Sequence, residues 1–548
     1  MVRSLTLLTT SEDFPDFPGR TRGLTGAIIF NNTFWTALRD YGRHTDRIVP
    51  FIQPFAANAP KSSTGNVQLT PMPLHRIGHE IGRLQTSIVW HEPGGPASMA
   101  KVVPLRNSYA PNVTLTGTLH SLQPTANWLT YVTRLTTPQD VLVAPSKAAA
   151  SAFTSFCEAI RQHKLHEWDP PSIEVVPHGI DTCHFKPMDR VAARDSIGLP
   201  MDKTIVGYVG RLSQFTKMDV IPLLRAFQRA TADRNDVVLV LAGADYVRYR
   251  SLLSDIIKKL RLRDKVIVRT KVEYPNDTVV YMNACDVFVS LSDYTGETFG
   301  LAPVEAMACG LPVVLADWGP YRDLIRDGIE GFLITTIGDY TSSLPRFYDA
   351  VDPAICSLYL SQRVAVDHNM LECRLRELLD NPELRRVLGD AARKRAGSHY
   401  PYARMICDYE DMWRSRATIS SLDKWGPKQR TREVAQAQLL AQSLGGYATH
   451  SLHDSDEVYI RDLPGDGYAY DELAHSLMCA PTILEVLAEP HTLTALIRQV
   501  QEMSSCPDAE IRTSLLWLVK QGLVGVRETD FSHSAKVVRP QSLHPKDK

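Results

Sequence analysis

The sequence predicts an α/β protein: two doubly wound, Rossmann-like domains facing a cleft, then a small, mainly helical C-terminal module. Three observations carry this. Short β-branched runs alternate with helical patterns through about the first 400 residues. A stretch near 177–200, holding Pro177, Pro187 and Pro200, divides these runs into two series and suits a hinge. Beyond about Arg416 the strand signal fades. Repeated β-α-β alternation is the pattern of a parallel sheet with helices on both faces.

The first series predicts strands at 5–8, 47–52, 87–91, 113–120, 141–144 and 173–176. The second predicts 205–209, 237–242, 266–269, 287–290, 312–316 and 331–334. Runs 205–209 and 237–242 are continuously apolar, as expected of strands buried on both faces. Helical patterns at 219–233 and 249–262 lie between strands of this series. The region 336–365 reads as an insertion before helices at 367–379 and 382–395. The expected organisation is one Rossmann-like domain over 1–190 and a second over 191–400. A helix at 401–417 crosses back to the first. A linker (418–456), a winged-helix-like domain (457–530) and a polar tail (531–548) complete the chain.

The chain has 548 residues, a net charge of −1, 44% hydrophobic and 22% charged residues, an ordinary composition for a globular protein with full cores. Near-neutral charge argues against an electrostatic grip on nucleic acid or acidic membrane by the whole protein. No apolar run approaches a transmembrane helix. The opening MVRSLTLLTTSEDFPDFPG has one Arg, a short apolar run, then acids and prolines, so no signal peptide is expected. The nine cysteines are dispersed, with no C-x-x-C and no Cys/His cluster. They read as reduced thiols of a cytoplasmic protein, packed as small hydrophobes, with no metal site expected.

In an open parallel sheet, ligands bind beyond the carboxyl ends of the strands. The stretch GETFGLAPVEAMACGLPVV, 296–314, follows such an end. Its helix, with Pro303 in the first turn, presents free N–H groups and the positive dipole end to an anion. Gly300 permits close approach of a phosphate to the backbone. Glu297 and Glu305, seven residues intervening, would repel that anion unless each binds hydroxyls or a cation. A sugar and a ribose flanking a diphosphate meet the first condition. GYVGRLSQFTK, 207–217, follows another strand and supplies Arg211 and Lys217. Arg forks onto phosphate and Lys is a compact charge, so the pair can stabilise a departing diphosphate. The only Asp-x-Asp pair, Asp454 and Asp456, lies outside both domains, so no metal is expected in the cleft.

These segments resemble glycosyltransferase family 4, retaining enzymes of the GT-B fold. The matching motifs are VVPHGIDTCHFKP (175–187), VGYVGRLSQFTK (206–217), ACDVFVSLS (284–292) and ETFGLAPVEAMACGLPVV (297–314), with the family's E-x7-E pair at Glu297 and Glu305. The likeness covers about 1–416, dense in the second half and thin in the first. It implies that Arg211 and Lys217 hold the donor diphosphate, Glu305 the ribose and Glu297 the donor sugar. Thr298, Phe299, Gly300 and Leu301 would cradle phosphate and sugar, with the nucleobase near Val272. His120, ending TGTLH, matches the family's first-domain histidine beside the reacting carbon. Gly26 falls at the family's glycine loop. Here that loop reads Thr25–Gly26 where the family commonly has Gly-Gly, the Arg-to-Lys spacing is one residue longer, and 336–365 has no counterpart. The resemblance implies metal-independent, front-face transfer from a nucleotide-diphosphate sugar. The acceptor, whether small molecule, glycan, lipid or peptide, is not specified.

Two other readings stay open. One is a catalytically idle GT-B scaffold that binds a partner through its C-terminal module. The other is a nucleotide-sugar epimerase or sugar phosphorylase on the same fold. Among the remaining histidines, His91 is equally consistent with the cleft and the core, and His178 reads as a structural turn residue. Met307 and Cys309 read as core. In the C-terminal module, Leu493, Leu496, Ile497 and Val500 form one apolar helical face, and Ile511, Leu515, Leu518 and Val519 another. Gly522 then stops the helix before a short strand at 523–527, and helices followed by a Gly turn and a small hairpin suggest a winged helix. Residues 491–528 hold four Lys/Arg and four Asp/Glu, which argues against nucleic-acid binding. The module also resembles small winged-helix domains that capture leader peptides by strand addition. The plainer reading is a packing or dimerising domain.

Overall fold

The computed structural model describes residues 5–10, 26–52, 67–77, 87–122, 137–162, 170–214, 216–245, 249–338, 352–362, 364–420, 454–460, 479–520 and 524–527. The first sheet contains β1 (Leu5–Thr9), β2 (Thr45–Ile52), β3 (Gln68–Leu69), β4 (Met72–Pro73), β5 (Ser87–Glu92), β6 (Thr114–Thr118), β7 (Val141–Ala144) and β8 (Ser172–Val175). Its order is β3-β2-β1-β5-β6-β7-β8, parallel throughout this path, with β4 also on β2. The second contains β9 (Thr204–Val209), β10 (Val237–Ala242), β11 (Val266–Arg269), β12 (Val287–Ser290), β13 (Val313–Ala316) and β14 (Gly331–Ile334). Its order is β11-β10-β9-β12-β13-β14, all parallel. All twelve expected strands form, and each sheet reverses direction of winding once, between β1 and β5 and between β9 and β12. Such a reversal opens a crevice at the carboxyl ends of the strands.

The central strands show why continuous apolar runs were required. In β10, Val238, Val240 and Ala242 enter one buried cluster while Val237, Leu239 and Leu241 enter another on the opposite face. Alternate side chains point to opposite faces, so helices on both sides demand apolar residues at every position. Helix ends follow local chemistry. Asp189, Asp367 and Asn381 each accept a backbone N–H at a helix start, and Gly198 closes its helix at φ 64°.

Helix Tyr402–Ser420 packs on helix Gly26–Tyr41 and on β5 and β6 of the first domain. Glu410 fixes it there by accepting the backbone N–H groups of Arg43, His44 and Thr45 at 2.8–2.9 Å. The stretch 336–365 contributes β15 (Thr336–Gly338), helix Pro353–Ser361 and the start of β16 (Val364–Val366), the two strands pairing antiparallel.

A second compact unit contains the described chain beyond 429. It has β17 (Glu457–Ile460), β18 (His491–Thr492) and β19 (Val524–Arg527) in an antiparallel sheet of order β18-β17-β19. Helices Ala480–Val486, Leu493–Ser504 and Asp508–Lys520 pack with it. Of the expected apolar faces, Leu493, Leu496, Ile497 and Val500 are buried on one helix and Ile511, Leu515 and Leu518 on the next, while the Val519 side chain lies outside the described residues. The three-stranded sheet goes beyond the small hairpin expected after the helices: β17 precedes all three helices and β18 lies between the first two. Its middle strand, β17, is too short and mixed to stand out in sequence. Most of 418–456, together with Gly522 and the tail 531–548, lies outside the described residues. Among the described residues no helix is long and apolar enough to cross a membrane.

Candidate active site

A cavity of about 430 Å³ opens at the carboxyl ends of the second sheet, beside the β9/β12 reversal. Its floor comes from loops after β9, β10, β11 and β12, and its far wall from Ile29, His120, Ser121 and His178 of the first half. The volume is that of a small-molecule site. Arg211, Lys217, Val272, Glu297, Thr298, Phe299, Gly300, Leu301, Glu305 and His120 all line it.

Gly300 caps helix Leu301–Ala308 with φ 106°, a conformation that disfavours side chains, and no side chain caps the first turn. A Cβ on Gly300 would lie 2.5 Å from the Tyr321 ring. Backbone thus faces the cavity at a helix N-terminus. One turn on, Glu305 is 3% exposed, and Tyr274 Oη donates to its Oε1 at 3.0 Å. Burial raises the Glu305 pKa to about 7, opposed by the Tyr274 hydrogen bond and the Lys217 charge. A buried carboxyl balanced near neutrality gains from hydroxyl donors, because each stabilises its charged form. Opposite, Gly243 packs so tightly on Gly210 that a Cβ would fall 1.6 Å from the Gly210 carbonyl oxygen. Only glycine lets the loops after β9 and β10 meet.

Lys217 Nζ donates to Glu297 Oε2 at 2.5 Å. The two residues assigned to diphosphate and sugar therefore contact each other. An ammonium has three protons, so one can remain on Glu297 while others turn to a phosphate. Arg211 packs beside them, its guanidinium 3.4 Å from the Thr216 carbonyl oxygen and its own carbonyl accepting the Tyr208 hydroxyl at 2.8 Å.

His120 lies just past β6. Its Nε2 donates to the Pro93 carbonyl oxygen, which fixes the proton on Nε2 and leaves Nδ1 as acceptor. Burial lowers its pKa to about 4, so the ring is neutral at pH 7. The Thr298 hydroxyl donates to the His120 carbonyl at 2.9 Å, and Ser146 Oγ donates to the Thr298 carbonyl at 2.8 Å. The loop bearing Glu297 is thereby tied to the first domain at two points.

Gly26 is the first residue of helix Gly26–Tyr41, and Ile29, one turn later, lines the cavity. The preceding loop, including Thr25, lies outside the described residues. His91 is fully buried among Phe34, Trp35, Tyr409 and Trp413, its Nδ1 2.9 Å from Thr116 Oγ1, and belongs to the first-domain core. His178 instead lines the cavity, with ring centroids 4.1 Å from Phe30 and 5.1 Å from Phe299. Sequence reasoning placed it in the hinge turn and missed that this turn enters the cleft. It also missed Tyr274, Ser146 and Gly243, whose roles arise only from packing between distant loops. Met307 and Cys309 are buried core, as expected.

Residues 189–341 match the family model described as Glycosyl transferases group 1. A D-inositol 3-phosphate glycosyltransferase of Mycolicibacterium vanbaalenii is 36% identical over 225 residues, 38% of this chain and 47% of the relative. One of Stackebrandtia nassauensis is 35% identical over 204 residues, 36% of this chain and 44% of the relative. The chain thus spans about half the length of the curated relatives it matches. Among solved structures, sucrose-phosphate synthase from Thermosynechococcus elongatus superposes with TM-score 0.51 and 19% identity, covering 75% of this chain and 99% of that one. Anabaena HepE in complex with UDP gives TM-score 0.51 and 16% identity, covering 75% and 100%. The two parallel-sheet domains therefore have the GT-B fold.

Proposed function

We propose that the protein is a glycosyltransferase that moves a sugar from a nucleotide-diphosphate sugar to an acceptor with retention of configuration. The observation that carries this is the convergence of Arg211, Lys217, Glu297, Glu305 and the start of helix Leu301–Ala308 in one cavity. The nucleobase lies toward Val272, the ribose hydroxyls donate to Glu305, and the diphosphate meets Arg211, Lys217 and the helix N-terminus. Glu297 orients the sugar hydroxyls while keeping its ion pair to Lys217. As the glycosidic bond breaks, negative charge grows on the leaving diphosphate, and the two cations and the helix dipole stabilise it without a metal. His120 Nδ1 accepts a sugar hydroxyl near the reacting carbon. The acceptor enters from the first-domain side and attacks on the face that the diphosphate leaves. Thr298 and Ser146 hold the loop against the first domain, which excludes water.

The second unit, with three helices and a three-stranded sheet, fits a winged-helix-like module. β19 lies at the sheet edge among the described residues, so an added peptide strand is the partner class that fits it. UDP-sugars are the first donors to test, since the HepE structure holds UDP. Purified protein should be stabilised against heat by the correct donor, and should release nucleoside diphosphate from it. A full nucleotide-sugar panel that neither binds nor turns over would overturn the proposal.

A further inference from the structure

We propose that Cys479, Cys506 and Glu510 of the second unit form a binding site for a thiophilic divalent metal ion, with zinc as the fitting ion. These residues are 27 and 4 positions apart in sequence, a spacing that no local motif reveals. The fold brings them together from three elements. Cys479 immediately precedes helix Ala480–Val486, Cys506 follows helix Leu493–Ser504 after the left-handed Ser505, and Glu510 lies in the first turn of helix Asp508–Lys520. Their two sulfurs and a carboxylate oxygen all lie within 4.8 Å of one another. Ligand atoms bound at ~2.0–2.3 Å in a tetrahedron stand roughly 3.4–3.8 Å apart, so small side-chain rotations suffice.

A packing role accounts for the cysteines but not for the carboxylate. Cys479 is fully buried, Glu510 is half-buried, and among the described residues the Glu510 carboxylate makes no ion pair. Two thiolates and a carboxylate within 4.8 Å of one another repel unless a dication lies between them. On binding, each thiol loses its proton to solvent and the sulfur lone pair forms the metal bond. Two thiolates and one carboxylate select zinc over harder cations. Cys506 and Glu510 are partly solvent-exposed, so water completes the fourth position.

The test uses the full chain, reduced and stripped with chelator, then titrated with cobalt(II) as the probe. One equivalent should produce a cobalt–thiolate charge-transfer band with tetrahedral visible bands, and one equivalent of zinc should displace it. Cys506→Ser should lower the charge-transfer intensity, since at most the Cys479 thiolate then remains. Glu510→Gln, at a half-buried position, should keep both sulfur bonds but weaken zinc binding on the order of 10–100-fold. Cys373→Ser, which alters an exposed cysteine of the first unit, should leave the spectrum unchanged. Folding of each variant is followed by circular dichroism. A folded wild-type chain with no cobalt–thiolate band, or a band unchanged in Cys506→Ser, would overturn the proposal.

Discussion

Replacing Glu305 with Gln should make the ligand-free protein more stable at alkaline pH and yet poorer at binding donor. In the folded protein burial makes Glu305 keep its proton up to about pH 7, against 4.5 for a free glutamate. Folding therefore takes up a proton between those values, and stability falls as pH rises through that window. The rise from 4.5 to about 7 corresponds to roughly 3 kcal/mol of cost at pH 8, absent at pH 4. Gln keeps the acceptor for Tyr274 Oη but cannot ionise, so it should recover most of this, a few degrees in melting temperature. The same change removes a charged acceptor from the ribose hydroxyls. At roughly 1.5–3 kcal/mol per charge-assisted bond, donor Kd should rise about 10- to 150-fold. Thermal unfolding at pH 5 and pH 8, with and without donor, reads both effects, and the variant-minus-wild-type difference isolates this residue from Glu92 and Asp293, which burial also raises. A variant less stable than wild type at pH 8, or one that binds donor undiminished, would refute the reasoning.

Lys217→Ala should lower donor turnover by about 10²–10³-fold, the scale of losing one preorganised charge, measured as nucleoside diphosphate release. Thr298→Val removes the hydroxyl that donates to the His120 carbonyl, and about 1 kcal/mol should lower kcat/KM for the donor roughly 5-fold. Asp140→Ala strands Arg106, which is 1% exposed and paired to both Asp140 oxygens at 2.5 and 2.7 Å. Urea unfolding should show a loss of about 3–5 kcal/mol.

Most of the fold was legible because buried parallel strands need apolar residues on both faces, and few other structures produce such runs. The strands 237–242, 266–269, 287–290 and 331–334 appear with the expected limits. β17 was not legible, because a four-residue strand with one fully buried side chain has no period to detect. In the site, residues next to strand ends were readable from the rule that ligands sit there. Lys217 and Glu297 were each read from their loops, but their mutual ion pair depends on an 80-residue separation that spacing cannot encode. The same holds for Ser146 with Thr298 and for Cys479 with Cys506. His178 was misassigned because a hinge turn and a cavity wall make the same local demands on sequence.

The most direct test of the proposed transfer is a time-resolved proton NMR assay of purified protein with a panel of nucleotide sugars. One donor should lose its anomeric signal as nucleoside diphosphate appears, with the product sugar in the donor's configuration. Lys217→Ala should slow this at least about 100-fold. Inversion of the anomeric centre would contradict retention. A Lys217→Ala variant as fast as wild type would contradict the assignment of the site itself.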